Sequence, residues 1–185
     1  IQSYQDAVSW TNRPLKLQMN GGNTTFGGTV TIGSLDIGHG AGGDTNSVAV
    51  GDAALDASHS GSTYNTAIGV NSLGALNAAA ADYNTAIGGQ AGAAITSGPS
   101  NTAVGAYSLD GTDDGSQNVA VGVNALRGNC SNDNVAIGFD ALNDFTGSDA
   151  TVVGSGAAAL LTGASSPSGA GTTAIGKSAL AVAVN

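Results

Sequence analysis

The sequence predicts an all-β protein, a parallel β-solenoid of about nine coils. Three observations point there. A five-residue phrase recurs along most of the chain, aromatic residues are only 4% of the composition, and the stretches between phrases are rich in Gly, Ser, Asn and Asp. With 30 glycines in 185 residues, the chain lacks the large side chains that fill a thick globular interior. All thirteen acidic residues are Asp, which favours turns where Glu would favour helix.

The phrase is anchored on a glycine. Its copies are SVAVG ending at Gly51, NTAIG at Gly69 and Gly88, NTAVG at Gly105, NVAVG at Gly122, NVAIG at Gly138, TVVG at Gly154 and TTAIG at Gly176, with TVTIG at Gly33 as a plausible first member. Three residues after the glycine comes Ala or Ser, and one further on comes Leu at Leu55, Leu73, Leu109, Leu126, Leu142 and Leu180. Gly92 and Ala158 depart from Leu at that place. Successive anchors are 18, 18, 19, 17, 17, 16, 16 and 22 residues apart, and nearly all of that variation falls after the Leu. A fixed word is therefore followed by an elastic spacer of turn chemistry.

Thr66 and Ile68 lie two apart around Ala67, the period of a short strand. The segment ending in Leu is expected to be a second strand, with the glycine cornering between them in a conformation closed to other residues. Burying one Ile and one Leu cannot offset the entropy of ordering such a unit, so the units must stack. Stacking sets Ile68 between Val50 and Ile87 and aligns Asn65, Asn84, Asn101, Asn118 and Asn134 as an amide ladder. Nine coils at about 4.8 Å make a rod of roughly 40 Å.

The middle residue of the word is Ala at Ala49, Ala67, Ala86, Ala103, Ala120, Ala136 and Ala174. On a solvated face Thr, Lys or Asp should sometimes replace it. The strip is therefore expected to be a lateral interface, closed symmetrically by a homotrimer; the alternative is an intramolecular reason, a cramped second interior.

NTAIG followed by Ala-Leu resembles the repeats in the heads of trimeric autotransporter adhesins, the YadA-like head. It is more similar still to the NTAIG arrays of bacteriophage tail fibres. RPLKLQMNGGNTTFGGTVTIG, from Arg13 to Gly33, looks like the strand pair that precedes such arrays in fibres. The resemblance implies a left-handed parallel β-roll, three chains to a head, with residues 1–28 as a strand and connector segment and 29–185 as the repeat domain. It also implies a section of a virion tail fibre, extracellular, joined to other virion tail proteins and attached to a host cell-surface glycan. Nothing after Leu180 matches the self-cleaving chaperone domain in which such fibres often end, so a cleaved product or a fragment is expected. A bacterial surface adhesin head is the alternative, and an ice-binding solenoid ranks below it, because Val48, Val119 and Val135 interrupt the Thr column.

No enzymatic activity and no cofactor are expected: His39 and His59 have no partner at catalytic spacing. Cys130 stands alone. No apolar run reaches the roughly 18 residues of a membrane helix, and four cations against a net charge of −9 argue against nucleic acid. Asp110, Asp113 and Asp114 in DGTDDG are weak calcium candidates, since the pattern of a calcium-binding helix-loop-helix fails at Val121. GHGAGG, Gly38 to Gly43, lacks the lysine of a phosphate-binding loop. Tyr64, Tyr83, Tyr107, Phe139 and Phe145 lie on or near the spacers beside Asp and Asn and are weak candidates for stacking on sugar rings; the alternative for Tyr64 and Tyr83 is a coil or interface cap.

Overall fold

Each copy of the phrase forms a three-residue strand, and the strands stack in chain order. The computed structural model describes residues 30–32, 35–39, 46–57, 62–161 and 171–180. The segment 1–28, His59 and most of GHGAGG lie outside the described residues. Ten strands form one sheet: β1 (Val30–Ile32), β2 (Leu35–Gly38), β3 (Val48–Val50), β4 (Thr66–Ile68), β5 (Thr85–Ile87), β6 (Thr102–Val104), β7 (Val119–Val121), β8 (Val135–Ile137), β9 (Thr151–Val153) and β10 (Thr173–Ile175). Among the described residues there is no α-helix. From β3 to β10 all pairing is parallel and in one register, Ala49 to Ala67 to Ala86 to Ala103 to Ala120 to Ala136 to Val152 to Ala174. This is a parallel β-solenoid, as the phrase predicts.

The TVTIG strand is not a coil of this stack. β1 pairs antiparallel with β2, and β2 antiparallel with β3, so the parallel stack holds eight strands.

The expected second strand is also absent. After each anchor glycine the chain reverses through two left-handed residues, such as Asn71 (φ 56°) and Leu73 (φ 48°), or Asn124 (φ 57°) and Leu126 (φ 52°). Such a conformation is unfavourable for a side chain like Leu. It is held by bonds to the coils on either side: the Asn71 N–H donates to Asp52 O of the coil before at 2.8 Å and the Leu73 N–H to Ala91 O of the coil after at 3.1 Å. The ladder thus continues around the corner, and the turn delivers Leu73, Leu109, Leu126 and Leu142 to the interior, all fully buried.

The inside and outside of the strand are the reverse of the expectation. Ala67, Ala86, Ala103, Ala120 and Ala136 are buried within the single chain, at 1% exposure or less, whereas Ile68, Ile87 and Ile137 are each 39% exposed. A coil of this length encloses only the strand and the turn facing it. Leu of the turn and one spacer residue fill the gap, leaving room for a methyl on the strand side. The Ala column is therefore the cramped interior, and Ala49, Ala67, Ala86, Ala103, Ala120, Ala136 and Ala174 are not a lateral interface.

The spacers are not loops hung on a rigid word. Seven residues after the anchor stand Leu76, Ile95, Thr112 and Phe145, with Cys130 one place later, and all five are buried. They form a second interior column, joined to the Ala and Leu columns in one core.

The Asn ladder forms as predicted, with a specific wiring. Each Asn side-chain oxygen accepts the backbone N–H of the Asn one coil on: Asn65 Oδ1 from Asn84 at 2.8 Å, Asn84 Oδ1 from Asn101 at 2.9 Å, Asn101 Oδ1 from Asn118 at 2.9 Å, Asn118 Oδ1 from Asn134 at 3.0 Å. The amide nitrogens donate to corner carbonyls, including Ala81 O from Asn65, Gly115 O from Asn101 and Ser131 O from Asn118. Ser47 opens the ladder through its hydroxyl and Ala150 closes it.

Candidate binding surfaces

A parallel stack presents columns, and each outward column is a candidate surface. The broadest is the outer face of the sheet. Its two columns hold Val48, Thr66, Thr85, Thr102, Val119, Val135, Thr151 and Thr173 at the first strand position, and Val50, Ile68, Ile87, Val104, Val121, Ile137, Val153 and Ile175 at the third. No charged residue stands at any of these positions. Val70, Val123 and Phe139, each directly after an anchor glycine, are exposed too and extend the apolar surface past the corner. Phe139 is thus exposed at the margin of this apolar face.

A second surface lies at the corner before the Asn. Tyr64 and Tyr83 stack with ring centroids 5.2 Å apart and planes within 5°, and they are 54% and 62% exposed. Asp82 lies at their base, its Oδ1 accepting the Thr63 N–H at 2.6 Å and the Thr63 hydroxyl at 3.4 Å.

Tyr107 stands apart, on the corner after the glycine. Its hydroxyl accepts from Gln90 Nε2 at 3.3 Å, and the Arg127 guanidinium lies 5.8 Å from its ring centroid. Arg127 also pairs with Asp110 at 3.9 Å. Partial burial pushes the Asp110 carboxyl above its ordinary value, and Arg127 pulls the other way. Phe145 is fully buried and cannot meet a sugar. Of the five aromatic candidates, the structure therefore brings together only Tyr64 and Tyr83. An apolar residue seven places after the anchor, as at Leu76 and Ile95, was the signal that Phe145 is core.

The three acids of DGTDDG are not assembled. Asp110 is turned to Arg127, Asp113 accepts the Thr96 hydroxyl and its N–H donates to Asn129 Oδ1 at 3.3 Å, and Asp114 is exposed. Among the described residues no three His, Cys, Asp or Glu side chains are grouped to hold a metal ion. His39, exposed, places Nδ1 2.7 Å from Ser47 O. No helix among the described residues is long and apolar enough to cross a membrane.

Cys130 is buried against the Thr112 hydroxyl, 3.2 Å away, and burial pushes its thiol above the ordinary value. An acid whose pKa rises on folding stays protonated in the native state while the unfolded chain ionises, so its contribution to stability declines as pH rises past the ordinary thiol range. The native protein is expected to resist an aromatic disulfide reagent at pH 8, and the chain in 6 M guanidinium to react at once; comparable rates in the two states would contradict this burial.

Compared with family models, with curated proteins and with solved structures, the chain matches none.

Proposed function

We propose that the protein is a structural and receptor-binding section of a homotrimeric virion fibre, with the outer face of its sheet turned inward against two other copies. One observation carries this reading: an eight-strand parallel face with Thr, Val or Ile at every outward position and no charge. A lone soluble chain rarely leaves so continuous an apolar surface in water. A flat face of this kind also favours a copy of itself, because the residue spacing is the same on both sides and every coil meets an equivalent coil. Three copies around one axis hide all three faces, and they leave the corners and spacers outward, where a host cell-surface glycan can be met. The stack supplies stiffness, since every coil is bonded to the next through strand, corner and Asn ladder. The NTAIG resemblance supports the fibre.

The test is the mass of the particle in solution. Wild type is expected at three chain masses. The double variant Ile87→Lys/Ile137→Lys is expected at one chain mass with an unchanged β-sheet spectrum, because both side chains are already directed outward and cost the monomer little. A wild-type monomer, or a variant that remains a trimer, would refute the proposed face.

A second reading has its own support. Thr66, Thr85 and Thr102 stand in consecutive coils on the same flat face, the arrangement an ice-binding surface needs. Val48, Val119 and Val135 interrupt the column, which suits a covered face better than a hydrated lattice. Thermal hysteresis in a wild type that is monomeric would favour ice.

A further inference from the structure

We infer that the stacked Tyr64–Tyr83 pair is a binding ledge for a neutral pyranose, the hexose unit of an uncharged glycan. This inference rests on the proposed attachment role and names the site within it.

The argument begins with the backbone. The residue before each ladder position has the same left-handed conformation in six successive coils: Tyr64, Tyr83, Ser100, Gln117, Asp133 and Asp149 all have φ between 59° and 62°. The same coil-to-coil bond fixes this corner, from the Tyr83 N–H to Thr63 O, Ser100 to Asp82 O, Gln117 to Pro99 O, Asp133 to Ser116 O and Asp149 to Asn132 O. Four coils therefore build the corner with small or polar residues, two of them the Asp that this conformation tolerates best. Folding does not require an aromatic there, and a bulky residue in that conformation is unfavourable. Two coils nevertheless carry Tyr, adjacent, with more than half of each side chain in solvent.

The pair has the chemistry of a sugar contact. Each ring turns one face to its partner, and each residue is more than half exposed. Beyond Tyr83 the corner column drops to Ser100, a small residue, before Gln117. Ser100 is itself exposed and too short to stack on Tyr83 as Tyr64 does. A pyranose set over Ser100 would lay its C–H face against the Tyr83 ring, with its hydroxyls towards the Gln117 carboxamide one coil on. At the base of the pair Asp82 commits Oδ1 to Thr63. Among the described residues its Oδ2 has no bonding partner, so it can accept from sugar hydroxyls.

Two other ligand classes fit less well. A uronic or sialic acid would bring its carboxylate towards Asp82 on a chain of net charge −9. A quaternary ammonium needs rings set at angles around it, and rings parallel within 5° make a ledge rather than a cage.

The experiment uses the full chain on a printed array of cello-, galacto- and manno-oligosaccharides, with oligogalacturonate and free choline as competitors. Wild type is expected to bind at least one neutral series. Tyr64→Ser/Tyr83→Ser, which installs the residue of the neighbouring coil, should lower that affinity at least tenfold without changing particle mass or melting temperature. Tyr64→Phe/Tyr83→Phe should stay within about threefold of wild type, because the ring faces remain. Retained binding in the Ser variant would overturn the ledge while leaving the attachment role standing. Absence of binding by wild type would overturn both. A change of particle mass would assign the pair to a subunit contact, and competition by oligogalacturonate or choline would assign it to another ligand; either result overturns the inference.

Discussion

Gly138→Ala is expected to destabilise the protein by more than about 4 kcal/mol or to prevent folding, although it adds a single methyl group. Gly138 has φ 137°, a conformation open essentially to glycine alone. A Cβ built there would lie 2.5 Å from Gly154 O and 2.6 Å from Gly154 C. Those atoms are backbone, and Gly154 is itself bonded to the coil before it, its N–H to Ile137 O at 2.8 Å. No side chain can swing away, so relief requires parting two coils and breaking their ladder. The control is Gly176, with φ 125° but nothing among the described residues within 4 Å of a Cβ built there. Gly176→Ala carries the backbone strain without the collision and should cost about 1–3 kcal/mol. Urea unfolding of the two variants separates the terms: equal losses would mean that strain alone requires the glycine column, and that the coils can part at little cost.

The glycine column was legible in the sequence because it combines a fixed place at the end of the repeated word with a residue that has one physical use. The Asn ladder was legible for the same reason, a polar residue at a fixed place beside an apolar word. Which side of the strand faces inward was not. The alternation Thr66, Ala67, Ile68 says which residues share a face, but size suggested that Ile fills the core, and in so thin a coil the small residue goes inside. The interior spacer column was hidden because Leu76, Ile95, Thr112 and Phe145 are embedded in turn residues, and Cys130 shifts by one place. The left-handed Leu could not be foreseen from propensity, which disfavours it; only the bonds to the next coil hold it there. Among the site residues, exposure of Tyr64 and Tyr83 followed from their place at a corner. Phe145 is surrounded by Asp144, Thr146, Gly147 and Ser148, whose turn chemistry masks its place in the interior column.

Asn118→Ala is expected to cost about 3 kcal/mol or more, far beyond the loss of an ordinary polar side chain. Asn118 is fully buried, and its side chain joins its own coil to the next. Its Oδ1 accepts the Asn134 N–H and Asn134 Nδ2, both at 3.0 Å, and its Nδ2 donates to Ser131 O at 2.9 Å. Alanine leaves a buried donor and a buried acceptor without these partners, each costing about 1–3 kcal/mol, and opens a cavity besides. Asn118→Ser should retain part of the stability, because Ser47 already serves the ladder, its hydroxyl accepting the Asn65 N–H at 2.9 Å. Asn118→Asp keeps the acceptor but turns a carboxylate towards Ser131 O. Burial and that carbonyl both favour the protonated acid, raising the folded pKa above the unfolded one. The variant should therefore gain stability as pH falls towards the ordinary carboxylate range and lose it as pH rises, the reverse of a paired Asp. Chemical unfolding at pH 4 and pH 8, with hydrogen exchange at the Asn134 amide, checks all three substitutions. Full protection of that amide in Asn118→Ala would show that the ladder follows the stack rather than holding it.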